Sequence, residues 1–196
     1  LFDALDDLLK SNDIAYLKWD HNRDLVASGG RLSPHRQTKA VYTLLDRLRS
    51  AHPDVEIETC ASGGGRVDFG ILQRTDRVWT SDSLDALDRV HIQRGFSLLF
   101  PPELMGSHIG APSAHTTKRT HRLGFRAAAA IFGAFGIEWN LLNADEDQLR
   151  EIESVVKLHK RFRPLLHTGC AKRIDHPDKT IDAHAVVAND SSEALV

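Results

Sequence analysis

Five times along the chain a short apolar run gives way to a longer segment with helical periodicity, and this alternation restricts the fold more than any other feature. The runs end at Lys18, span 55–60 and 77–81, lie weakly marked at 104–107, and fall within 137–142. The helical segments are 1–10, 34 to about 52, 85–100, 116 to about 135 and 145 to about 163. Alternation at this spacing predicts an α/β fold: a parallel sheet with helical crossovers.

Local signals set the boundaries. Phe2, Leu5, Leu8 and Leu9 form one stripe of the first helix, with aspartates opposite. Residues 25–34 are too rich in glycine and serine for a regular element. Ser33 reads as an N-cap with Pro34 at the first helical position, and Val41, Leu44, Leu45 and Leu48 face inward until Pro53-Asp54 breaks the helix. Residues 68–73 form a short helical turn. In 85–100 the candidates for the buried side are Val90, Ile92, Phe96 and Leu99, and Pro101-Pro102 ends the helix. Residues 108–114 read as a loop, Gly136 closes the alanine-rich helix, and Pro164 ends the last one. From Gly169 the pattern changes to a polar hairpin-like stretch, 173–180, and an alternating strand, 183–188. The expected domains are therefore 1–168 and a separate β-domain opening at 169.

The first apolar run carries the chemistry. Ile14 to Leu17 predict a buried strand, but Lys18, Trp19, Asp20, Asn22 and Arg23 follow at once. Charged side chains in a core need partners or water, and ligands of α/β folds sit at the carboxyl ends of parallel strands. Alternation puts Lys18 and Asp20 on one face. Val78 to Asp82 repeats the shape, with Asp85 close behind. Between them, Glu58-Thr59-Cys60-Ala61-Ser62-Gly63-Gly64-Gly65-Arg66 ends a strand in glycines, which let backbone approach a ligand closely. Duller readings exist for each. Asp20 can cap a turn, Asp82 can cap the following helix and leave Asp85 as the acid, and Cys60 can be a small buried residue. The glycines resemble a phosphate cradle but lack the P-loop lysine and hydroxyl pair. Glu138 and Trp139 also close a strand; they have no assigned role, and Trp139 suits the core.

Lys18-Trp19-Asp20-x-Asn22-Arg23, Cys60-x-Ser62-Gly63-Gly64-Gly65-Arg66-x-Asp68, Trp79-Thr80-Ser81-Asp82 and Met105-Gly106-Ser107-His108 occur in this order. Together, over about residues 1–168, they resemble glycoside hydrolase family 36, the α-galactosidase family that also contains plant raffinose synthases. A complete (β/α)8 barrel has eight strands in roughly 250 residues. The resemblance implies that the five strands here are the fourth to eighth, with the start of a C-terminal antiparallel β-domain after them. It implies a retaining enzyme that removes terminal α-galactosyl residues from melibiose- and raffinose-type saccharides, with Asp20 as nucleophile and Asp82 as acid and then base. Lys18 and Asn22 would hydrogen-bond sugar hydroxyls. Cys60 and Gly63 would wall the sugar, with Gly64 and Arg66 at the same rim. Trp19 and Trp79 flank the carboxylates, as packing or as a platform for a sugar face. His21 stands where the family often has methionine, and the loop after Arg23 is short. Alternatives are a raffinose-synthase-like transglycosylase, a Schiff-base aldolase using Lys18, and an interaction fragment without activity.

Composition bounds the rest. The chain has 196 residues, 41% apolar, with a net charge of −2, so it does not advertise binding to nucleic acid or a membrane surface. No apolar run approaches the ~20 residues of a membrane span, and no signal peptide leads the chain. Leu1 lies in what reads as mid-helix, so the native N-terminus is expected upstream. Cys60 and Cys170 do not make a disulfide framework, which favours a reducing cytoplasm. Eleven histidines show no metalloprotease spacing, so no metal is expected, and the family resemblance implies no cofactor. The expected partners are α-galactoside oligosaccharides and further copies of the full-length enzyme in a homo-oligomer.

Overall fold

A computed structural model of the chain describes residues 1–22, 33–178 and 180–196. The predicted loop over 25–34 (up to residue 32), the motif residue Arg23 and Lys179 lie outside the described residues. The chain divides into two compact units, Leu1–Trp79 and Thr80–Val196.

The first unit holds α1 (Phe2–Ser11), β1 (Tyr16–Asp20), α2 (Pro34–Ala51), β2 (Glu56–Cys60), the short α3 (Phe69–Leu72) and β3 (Arg77–Trp79). β1 pairs with β2, and β2 with β3, all in parallel. Ser33 caps α2 by accepting from the Arg36 amide, and Asp68 caps α3 by accepting from Ile71. One face of the sheet meets the helices: Leu9, Leu45, Leu48, Ile57 and Ile71 form the core, with Leu17 and Trp19 packed on it. Contrary to expectation, β1 is not a buried strand, because its residues alternate between exposed and half-buried. Only one side of it is paired among the described residues, to β2, so Tyr16, Lys18 and Asp20 remain accessible.

The second unit holds α4 (Ala86–Phe96), β4 (Met105–Gly110), α5 (Leu123–Ala130), β5 (Ala134–Glu138), α6 (Glu146–Thr168), β6 (Cys170–Ile174), β7 (Ala183–Val187) and β8 (Ala194–Leu195). β4 and β5 are parallel, whereas β6, β7 and β8 form an antiparallel sheet. Ile109, Leu123, Ala127, Ala130 and Ile152 make one core, and Ile131, Phe132, Leu165, Leu166 and Val186 another.

Several boundaries differ from expectation, among them that of β5, which spans Ala134–Glu138 and not a stretch within 137–142, because its residues from Ala134 on pair with β4. β4 continues through His108 to Gly110, where a loop was expected, because these residues pair with β5. The alanine-rich helix covers only 123–130. Thr117, Arg119 and His121 are tied back to Asp85 before it, and Phe135 and Gly136 join β5 after it. Pro164 lies inside α6 rather than ending it. The helix continues past it, with Gly169 N–H bonding Leu165 O and the Thr168 hydroxyl bonding Pro164 O. Finally, α4 stops at Phe96 and buries Ala86, Arg89 and Gln93, while Leu99 is 77% exposed beyond its end. Arg89 bonds the Gly106 and Ser81 carbonyls and the Thr80 hydroxyl; Gln93 bonds the Ala129 carbonyl and the Ser107 hydroxyl. That face is filled by hydrogen-bonding groups, which apolar periodicity does not detect.

Candidate active site

Strand register assembles one polar face in the first unit. Its rows are Tyr16 with Glu56, Lys18 with Glu58 and Arg77, and Asp20 with Cys60. Trp79 follows Arg77 by two residues and so shares its face. The Lys18 ammonium lies 4.2 Å from the centre of the Trp79 ring and 3.5 Å from Glu58 Oε1. Cys60 is buried, and its thiol is pushed up first by that burial and also by its hydrogen bond with Asp20, while the Gly63 amide and Lys18 oppose the shift. Lys18, Asp20, Cys60, Gly63 and Trp79 are thus brought together.

The turn after β2 sets the rim. Ser62 and Gly63 adopt left-handed backbone angles, φ 49° and 80°. Asn22 accepts from the Ser62 amide at 2.5 Å, and Ala61 N–H bonds Gly63 O. A Cβ on Gly65 would meet Ala61 O at 2.5 Å, so this turn needs its third glycine for space. Gly64 bridges back to Ala61. Arg66 donates to the Trp19 and Cys60 carbonyls at 2.9 and 2.7 Å and to the Thr59 hydroxyl at 3.1 Å. Its guanidinium therefore clamps the ends of β1 and β2 from within. Trp19 points to the helix side, so of the two tryptophans it is Trp79 that shares a face with Lys18. A cavity of about 730 Å³ beside α2 is lined by Trp19, Asn22, Tyr42, Arg66 and Asp68, among others, and by neither Lys18 nor Asp20.

Asp82 belongs to the second unit, where it is exposed. Its neighbours are fixed: Arg89 holds Thr80 and Ser81, and the Ser81 hydroxyl accepts from the Ser83 amide. Asp85 is the α4 N-cap and is fully buried. Burial alone would raise its pKa, but hydrogen bonds from Arg119, Thr117 and the Asp88 and Leu87 amides together hold its carboxyl far below the usual range. Among the described residues no group of three or more His, Cys, Asp or Glu is placed to hold a metal. Among the described residues no helix is long and apolar enough to cross a membrane. Glu58 and Tyr16 had no assigned role from sequence; the period-2 alternation that paired Lys18 with Asp20 also puts Glu58 on the face of Cys60.

The Melibiase family model matches residues 1–169. The α-galactosidase of Escherichia coli is 47% identical over 190 residues, 96% of this chain and 27% of that protein. α-Galactosidase C of Emericella nidulans is 38% identical over 198 residues, 100% of this chain and 26% of its own. The crystal structure of the GH36 α-galactosidase AgaA from Geobacillus stearothermophilus superposes with a TM-score of 0.93 at 33% identity, over 98% of this chain and 28% of that one. The chain thus spans about a quarter of the length of these relatives. Its fold class is α/β, a portion of a (β/α)8 barrel followed by a small antiparallel sheet. With matching motifs on its strand ends and the family model covering most of its length, the chain belongs to the Melibiase family.

Proposed function

We propose that this chain is the later part of the catalytic barrel of a retaining α-galactosidase, with residues from 169 opening its C-terminal β-domain. The observation that carries the reading is Asp20, a carboxylate at the carboxyl end of β1 with the Lys18 ammonium on the same face, in a chain matched to the Melibiase family. The relatives support the substrate: AgaA variants are described in complex with raffinose and with stachyose.

In this reading the Asp20 carboxylate attacks the anomeric carbon, and the glycosidic bond breaks as Asp82 protonates the departing oxygen. A galactosyl ester on Asp20 results. Asp82, now a carboxylate, takes a proton from water. The hydroxide so formed attacks the same carbon, releasing galactose and regenerating Asp20. Lys18 and Asn22 donate to sugar hydroxyls, Cys60, Gly63 and Gly64 form the wall, and Trp79 supports Lys18. Arg66 acts by holding the two strand ends. The buried Asp85 carboxylate is already committed to Arg119, Thr117 and the start of α4, which supports Asp82 rather than Asp85 as the acid. Glu58 and the Trp79 ring are partners suited to a cation, and no observation favours Lys18 as a Schiff-base amine. The two free thiols fit a reducing compartment. These 196 residues alone are expected to lack activity.

The test is azide rescue in the full-length enzyme with an aryl α-galactoside. Asp20→Gly should yield β-galactosyl azide, and Asp82→Gly should yield α-galactosyl azide. Wild-type turnover by Asp82→Gly would remove Asp82 from its role. A full-length enzyme inert on α-galactosides would remove the substrate.

A further inference from the structure

We infer that Glu58 is a positioning residue whose buried carboxylate fixes the Lys18 ammonium beside Asp20. The inference rests on the site reading just proposed. Glu58 is 1% exposed in mid-strand, where a parallel sheet ordinarily carries apolar residues. A buried carboxylate costs several kcal/mol of lost hydration unless it is paired. Two cations share its row, Lys18 and Arg77. Arg77 pairs with Glu56 and lies over the Tyr16 ring. Lys18 is left as the cation of Glu58, 3.5 Å from Oε1, and the Tyr16 hydroxyl hydrogen-bonds the same carboxylate.

The geometry gives Glu58 a supporting role. It lies two residues before Cys60, one layer beneath the row that holds Asp20, and its side chain is closed to solvent. The Lys18 side chain remains 35% exposed. Its ammonium has the carboxylate and the Trp79 ring as neighbours, and no hydrogen bond to Oε1 restrains it. A charge contact and a ring fix where the ammonium sits while its N–H groups stay available to a ligand. The groups sharing its face are Tyr16 and Asp20 on β1, Glu56, Glu58 and Cys60 on β2, and Arg77 and Trp79 on β3.

A double-mutant cycle in the full-length enzyme tests this, read as kcat/KM on an aryl α-galactoside. Lys18→Met should lower it about a hundredfold and Glu58→Gln about tenfold, as expected for a charged hydrogen-bonding partner and its support. The double variant should be no worse than Lys18→Met, because Glu58 acts through Lys18. A full tenfold loss persisting in the Lys18→Met background would overturn the inference, as would an unimpaired Glu58→Gln. If Glu58→Gln does not fold, Glu58→Asp carries the same cycle, since it keeps the charge but withdraws it by one methylene. A second readout needs no turnover. Trace acetylation of Lys18 at one fixed pH, followed by peptide mass spectrometry, should run several-fold faster in Glu58→Gln, whose ammonium has lost the carboxylate contact that holds it in place. An unchanged labelling rate refutes the pairing. If the unmutated enzyme cleaves no α-galactoside, the substrate reading fails and the labelling result still decides the role of Glu58.

Discussion

Arg119 Nε donates to Asp85 Oδ2 at 2.6 Å, joining the stretch before α5 to the first turn of α4. Asp85 is wholly buried and also accepts from Thr117 and from the Leu87 and Asp88 amides. Asp85→Ala removes a helix cap and leaves buried donors unmatched, so it should lower unfolding free energy by about 3 kcal/mol. Urea denaturation measures this. Because the folded carboxyl titrates below its ordinary value of 3.8, its contribution is complete above that pH and is lost on further acidification. Asp85→Asn should therefore show a shallower stability loss than wild type between about pH 4 and pH 2.

Arg66 presents three donor contacts that no other cation can reproduce in one plane. Arg66→Lys should cost about 2 kcal/mol in stability by stranding the Trp19 and Cys60 carbonyls. Because Asp20 directly follows Trp19, kcat/KM of the full-length enzyme should fall about tenfold or more, reflecting misplacement by a fraction of an ångström. A variant with unchanged melting and unchanged rate would show that the clamp is dispensable.

The turn after β2 predicts opposite signs for two neighbouring substitutions. Ser62, at φ 49°, should gain up to about 1 kcal/mol on replacement by glycine. Gly65→Ala should lose roughly 2 kcal/mol, because the new Cβ meets a backbone oxygen rather than a movable side chain. Thermal shifts in opposite directions check both.

His159 is buried in α6 and stacks on Phe135, with ring centres 4.7 Å apart. Burial, then His167 and Arg163, lower its pKa below 6.5. The unfolded chain therefore takes up a proton near pH 6.5 that the folded one does not, and stability falls as pH drops through that value. His184 is lowered in the same sense, chiefly by burial. His159→Leu should flatten part of the decline between pH 7 and pH 5, measured as unfolding midpoint against pH.

Sequence resolved the elements wherever local chemistry and final environment agree. Ser33-Pro34 starts α2, Asp68 starts α3 and Asp145 starts α6, because each cap is satisfied within its own turn. The position of Lys18 and Asp20 was readable because charge follows apolar residues abruptly. Three features were not readable. The helical signal of 116–135 is overridden at both ends by partners distant in sequence, Asp85 and β4. The inward face of α4 is polar, since Arg89 and Gln93 find carbonyls and hydroxyls that only the folded chain supplies. Glu58 looks like an ordinary strand residue until register sets it opposite Lys18.

The polar face of α4 bears on how well the backbone ahead of it is aimed. A helix greased by leucines can slide or roll by a fraction of a turn at little cost, because one apolar contact substitutes for another. Arg89 and Gln93 act instead like the teeth of a key, meeting five particular oxygens between them in β4, α5 and the segment before α4. Any roll breaks several bonds together, so the orientation of Thr80–Ser83, and of Asp82 within it, is a mechanical property of the helix behind.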